Sequence, residues 1–330
     1  MRGKGAVIGT VILLLGLTVQ AGSIAAGERE ITLRTDWLFR GYHAPFFVAL
    51  KKGYFAEQGV GVQLQEGRGS ATVMQLVANQ SATFGFVDGA VMAMGVDKGM
   101  PLKMVAGIFQ RTTAAMMVYQ GSGIENPRDM AGKTAGLVPG ANTTQLFPIF
   151  LQRNGVAPEA VKVINVTPAN KTTFFRQRKY DITSALINDE VPALRLQGEQ
   201  IKVFHFADYG VNTMSLGVVT HPQMLSSSPE TVRRFLAAAI RGWEFAASNP
   251  EEAVSIFLAS VEARVRDVSL EQLRIALTLL HTDATRGRPL GWMAQEDWQK
   301  TQDFLVQSGA MKGRHPLDAF YTNALLPGGS

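Results

Sequence analysis

Asp36 and Trp37 close a β-rich run, and Tyr42 and His43 follow within seven residues. The group joins a carboxylate and an imidazole, which hold or move protons, to aromatic faces on which a flat ligand stacks. Three more short stretches carry polar groups: Gly67-Arg68-Gly69-Ser70, Asp88-Gly89 and Asn188-Asp189-Glu190. A fourth, VPGANTT at residues 138–144, opens a helical run, so the backbone N–H groups of Ala141 to Thr143 face outward from a helix start. The candidate ligand-binding set is Asp36, Trp37, Tyr42, His43, Arg68, Gly69, Ser70, Asp88, Asn142, Thr143, Asn188 and Glu190.

Each has a plainer reading beside the functional one. Trp37 serves equally as core or as a stacking platform. His43, in a loop before Pro45, reads as a structural histidine bonded to backbone. GRGS at 67–70 lacks both the lysine of a Walker motif and the G-x-G-x-x-G spacing. It reads first as a strand-to-helix turn and second as an anion site at a helix N-terminus. Glu190 reads as a first-turn acid favouring the helix dipole, or as a carboxylate accepting paired N–H donors from a ring such as an aminopyrimidine.

Catalytic patterns are thin. The five histidines (43, 205, 221, 281 and 315) are dispersed, with no H-E-x-x-H spacing, and there is no G-x-S-x-G elbow. The chain has no cysteine, which excludes thiolate zinc sites, cysteine nucleophiles and disulfides. Asp88 and Glu190 form an acid–base pair only if the fold unites them. No catalytic residue, metal or cofactor is expected.

The elements that must position these loops alternate. ITLRTDW (31–37) reads as a strand, Pro45 to Gln58 as one helix closed by Gly59, VGVQLQE (60–66) as a strand, and SATVMQLVANQ (70–80) as a helix capped by Ser70. A strand at 82–88, a helix ending at Gly99 and strands at 102–110 and 114–120 follow. A second β/α unit starts near Gly121, and from Ser228 the texture turns helical. Such alternation implies an α/β fold with mostly parallel sheets, where ligands bind at the carboxyl ends of strands. Two units and a helical tail imply two lobes: residues 30–120 with 218–330, and 121–217. The chain is expected to cross between them near Gly121 and near Thr213 to Gly217.

The start reads as a secretory signal peptide over residues 1–25: Arg2 and Lys4, an apolar run from Ala6 to Val19, then small residues at Ser23 and Ala25. The run falls short of the ~20 residues of a spanning helix. Net charge is +5, and removing this leader leaves +3. The basic residues are scattered, so no nucleic-acid stripe forms. A monomeric, exported, periplasmic protein is expected.

Four stretches carry a family resemblance: DWLFRGYHAPFFVALKKGYFAEQGV (36–60), GRGSATVMQLVANQSATFGFVD (67–88), KGMPLKMVA (98–106) and GIENPRDMAGKTAG (123–136). Together, with the pattern W-x5-H-x-P-x-F-x-A-x3-G-x-F, they resemble the SsuA/ThiY-like periplasmic substrate-binding proteins of ABC importers, which are related to a thiamine-pyrimidine synthase. The resemblance spans about residues 31–250. It implies a two-lobed type II periplasmic binding protein with a helical C-terminal segment, closing on a small planar ligand and served by an ABC permease and ATPase in the inner membrane. In ThiY-like proteins an aromatic after the first strand and an N-W-E-like turn hold the pyrimidine. Asp36–Trp37 matches the first, and Asn188 and Glu190 match the second, with Asp189 in place of the tryptophan. A thiamine-related pyrimidine is the leading ligand; a sulfonate, nitrate, an aromatic carboxylate or riboflavin are the alternatives. The synthase's lysine and histidine fall on Val87 and Val91, and its cysteine-rich segment has no counterpart, so its activity is not expected.

Overall fold

The computed structural model describes residues 31–262 and 264–328. The expected signal peptide lies outside them. The first β/α unit runs β1 (Ile31–Arg34), α1 (Ala44–Lys51), α2 (Tyr54–Glu57), β2 (Val62–Gln65), α3 (Ser70–Ala78), β3 (Phe84–Asp88), α4 (Gly89–Asp97) and β4 (Lys103–Gly107). The second runs β5 (Ala114–Tyr119), β6 (Thr134–Leu137), α5 (Asn142–Arg153), β7 (Lys162–Asn165), α6 (Lys171–Arg176), β8 (Ile182–Leu186), α7 (Glu190–Leu196) and β9 (Ile201–His205). The chain returns as β10 (Leu216–Thr220) and ends in helices α8 (Pro222–Ser227), α9 (Pro229–Ser248), α10 (Pro250–Leu258), α11 (Arg266–Leu277) and α12 (Gln295–Gln307).

Two five-stranded sheets result, ordered β2-β1-β3-β10-β4 and β7-β6-β8-β5-β9. The two orders are the same pattern used twice. In each, four strands run the same way, and the strand delivered by an inter-sheet crossing is antiparallel to both of its neighbours. This is the two-lobed α/β architecture expected from the alternation of elements. The first crossing differs from expectation. β5 pairs with β8 and β9, which satisfy its backbone on both edges, so the chain leaves the first sheet after Gly107 rather than near Gly121. The return falls between His205 and Leu216.

The helix expected from Pro45 to Gln58 breaks at Lys52–Gly53, where Gly53 takes φ +78° and ends the helical path. Left-handed backbone costs little without a Cβ, which makes glycine the natural break point. Helix α1 packs against α9 and α10, burying Phe46, Phe47, Trp243 and Phe257 in one aromatic-rich core beneath the first sheet. Helix α11 closes over the turn Gly41–His43, and so fixes the loop that follows β1. That loop carries Asp36 and Trp37.

Candidate functional site

The carboxyl end of β1 meets the second sheet across a narrow cleft. Asp36, Trp37, Gly69 and Ser70 line it from one side; Ala141, Asn142, Thr143, Lys171, Ala185, Leu186 and Glu190 line it from the other. Seven of the twelve expected residues are among these: Asp36, Trp37, Gly69, Ser70, Asn142, Thr143 and Glu190. The cleft is narrow, a cavity of about 20 Å3, close to the least that one water needs.

Asp36 is held from behind. His43 Nε2 lies 2.8 Å from Asp36 Oδ1, and the Tyr42 hydroxyl donates to Oδ2 at 3.2 Å. The Arg40 N–H donates to His43 Nδ1 at 3.0 Å. Nδ1 is therefore the acceptor, and the ring proton sits on Nε2, donating to the carboxylate. Burial, then the Asp36 charge, pushes the Tyr42 phenol well above its ordinary pKa, so it stays a donor. Tyr42 and His43 are fully buried in the first core and do not reach the cleft. Their expected ligand contact is corrected to support of Asp36.

Trp37 crosses the cleft. Its backbone belongs to the β1 loop, with the Trp37 carbonyl accepting from Thr35 Oγ1 at 2.7 Å. Its side chain belongs to the same buried cluster as Val138, Ala141 and Ala185 of the second lobe. On the far wall Lys171, first residue of α6, places Nζ 5.2 Å from the centre of the Trp37 ring and 2.5 Å from Glu190 Oε1. Glu190 Oε2 accepts the Leu186 N–H at 3.0 Å. Burial opposes the Glu190 charge, but Lys171 and the Leu186 N–H outweigh it and hold its pKa below the ordinary carboxylate value. Glu190 is thus the first-turn acid of α7 and also part of the cleft wall.

Ser70 is not the cap of α3. Gly69 holds the N-cap position, and Ser70 Oγ accepts the Asp88 N–H at 3.1 Å. Asp88 sits behind the cleft as the N-cap of α4, accepting from the Ala90 and Val91 N–H groups at 3.1 Å each. Asn142 Nδ2 and Ser215 Oγ donate to its other oxygen at 3.3 and 3.2 Å. Burial pushes its pKa up to about 6 despite these donors. The expected ligand contact of Asp88 is corrected to a capping role, and Asp88 and Glu190 form no pair. Arg68 is exposed and is not among the residues lining the cleft. Asn188 is fully buried and does not line the cleft.

Further contacts cross between the lobes. The Ala71 N–H donates to the Gly140 carbonyl at 3.0 Å. Arg40 Nε donates to both oxygens of Asp189 at 2.9 and 3.2 Å. Burial, opposed by Arg40 and aided by Glu190, pushes the Asp189 pKa up to about 7. Lys171 and Arg40 escaped the sequence reading, and Asp189 entered it only as a departure from the family's turn pattern. The loop after the 161–167 strand run was a parallel-strand end passed over, and applying the strand-end rule there leads to Lys171.

Residues 40–253 match the family described as NMT1/THI5 like. The chain belongs to that family. The riboflavin-binding protein RibY of Chloroflexus aurantiacus is 26% identical over 310 residues, covering 92% of this chain and 87% of that one. The formylaminopyrimidine-binding protein of Halalkalibacterium halodurans is 24% identical, covering 89% and 90%. Relatives named as pyrimidine phosphate synthases also match. Among solved structures, the alkanesulfonate-binding protein SsuA of Xanthomonas axonopodis pv. citri superposes with a TM-score of 0.69 at 13% identity, covering 90% of this chain and all of that one. That likeness establishes the periplasmic-binding-protein fold.

Proposed function

We propose that the chain is the solute-binding component of an ABC importer, exported to the periplasm, and that it closes on a planar nitrogen heterocycle. The observation that carries this reading is the cleft wall itself: Lys171 Nζ lies over the Trp37 ring and 2.5 Å from Glu190 Oε1. An ammonium beside a carboxylate offers a donor next to an acceptor. The matching ligand edge is a ring acceptor next to an N–H, presented by a ring that stacks on Trp37. An aminopyrimidine has that edge, and a thiamine-related pyrimidine is the favoured ligand. A flavin ring has it too, and the similarity to a riboflavin binder over nearly the full chain keeps riboflavin as the second reading.

Charge argues against sulfonate or nitrate. Asp36 and Glu190 both line the cleft and Lys171 is the one cation among its lining residues. An anion entering there meets two carboxylates against a single lysine. The charge-bearing groups of a synthase are absent: Val87 and Val91 stand at the lysine and histidine positions, and there is no cysteine. We therefore read the chain as a binder rather than an enzyme, working with a permease and ATPase. Titration of the mature protein, followed by Trp37 emission against a Trp37→Phe control, tests the reading. Quenching by an aminopyrimidine or riboflavin supports it; no response to either, with a response to sulfonate, rejects it.

A further inference from the structure

Asp189 stands between Asn188 and Glu190 but does not line the cleft. The hydrogen-bond partners of its carboxylate come from the first lobe. Arg40 Nε donates to both of its oxygens. Gln272 of α11 donates through Nε2 to Oδ1 at 2.7 Å and to the Asp189 carbonyl at 3.3 Å. Gln272 Oε1 in turn accepts the Gly41 N–H at 2.8 Å, which ties α11 to the loop carrying Arg40. Opening the cleft breaks these bonds and parts a buried ion pair.

The geometry points to Arg40, Gln272 and Asp189 as a closure latch that positions Glu190 against Trp37 and sets how long the closed form lasts. Both halves lie beside the ligand walls. Asp189 immediately precedes Glu190, and Arg40 lies three residues beyond Trp37 and three before His43. The latch rests on the reading above that the cleft closes on a ligand, but it makes no claim about which one.

The two partners are not equivalent. The Arg40 side chain is 21% exposed and the Asp189 side chain 2%. Without Asp189, Arg40 reaches water. Without Arg40, a buried carboxylate is left beside Glu190, with Gln272 as a neutral donor and Lys171 already engaged. Even with Arg40 in place its pKa stands at about 7. An uncompensated buried charge costs more than the pair is worth. Arg40→Ala therefore opens the cleft more than Asp189→Ala does, and adding Asp189→Ala to Arg40→Ala closes it again in part.

The test needs no ligand, so its failure is separate from failure of the ligand reading. The chain lacks cysteine, so Gln58→Cys on the first lobe and Glu159→Cys on the second take spin labels at unique, exposed sites. Distance distributions between them report the closed-to-open ratio. Arg40→Ala lowers that ratio roughly 100-fold or more, the scale set by an orphaned buried charge. Asp189→Ala lowers it less, and the double variant stands above Arg40→Ala alone. Gln272→Ala, which leaves both charges in place, also shifts the ratio toward open and serves where Arg40→Ala fails to fold. Unchanged distances in the folded variants, or a double variant as open as the product of the single effects, overturn the latch.

Discussion

Lys171 Nζ lies 2.5 Å from Glu190 Oε1 in a cleft where both side chains are more than nine-tenths buried. The pair places a donor and an acceptor side by side opposite the Trp37 ring, and each charge depends on the other. A buried pair of this kind is weak as a source of stability and costly to break.

Glu190→Gln leaves the Lys171 ammonium buried without a counter-charge. The expected loss is about 3 kcal/mol of stability, with ligand affinity falling at the same time. Lys171→Met with Glu190→Leu restores much of the stability but none of the affinity. Urea unfolding and calorimetric titration of the three proteins check this. Full affinity in the double variant would remove the pair from the site.

Trp37→Ala removes the stacking face. Truncating a buried aromatic anchor at an interface typically costs 2 kcal/mol or more, so affinity is expected to fall about 30-fold or further. Trp37→Phe, which keeps a ring, falls less. Equal affinity in all three proteins contradicts the stacking role.

Gly69→Ala tests closure from the other side. Gly69 has φ +115°, and an added Cβ would meet the Gly140 carbonyl oxygen at 2.6 Å. The variant is expected to retain its fold, since that contact crosses between lobes, and to favour the open form, with weaker ligand binding. Circular dichroism and titration separate the two effects.

Asp88 gives a pH dependence. Its folded pKa of about 6 lies above the ordinary 3.8. A carboxyl raised in this way contributes stability that is complete below the ordinary value and lost as pH rises through the folded one. The wild type should therefore lose stability relative to Asp88→Asn between about pH 4 and pH 6, by up to about 3 kcal/mol, and no more above that. Chemical unfolding of both proteins across this range decides it; a difference that stays flat or changes sign counts against the assignment.

Strand and helix alternation was legible because periodicity, Pro starts and Gly ends are local signals. Trp37 and Glu190 were legible as strand-end residues and through the family pattern. Sheet membership was not: β5 reads like any buried strand, and only its pairing with β8 and β9, far along the chain, puts it in the second sheet. Tyr42 and His43 looked like ligand groups because sequence shows their chemistry and not that Asp36 stands in front of them. Asp189 read as a departure from a motif because its partner, Arg40, lies 149 residues away.

The most direct test of the heterocycle reading is calorimetric titration of the mature protein with an aminopyrimidine, riboflavin, an alkylsulfonate and nitrate. The account predicts heat of binding with one of the two heterocycles, abolished or strongly weakened in Trp37→Ala, and none with either anion. Binding of an anion alone, unchanged in Trp37→Ala, would contradict it.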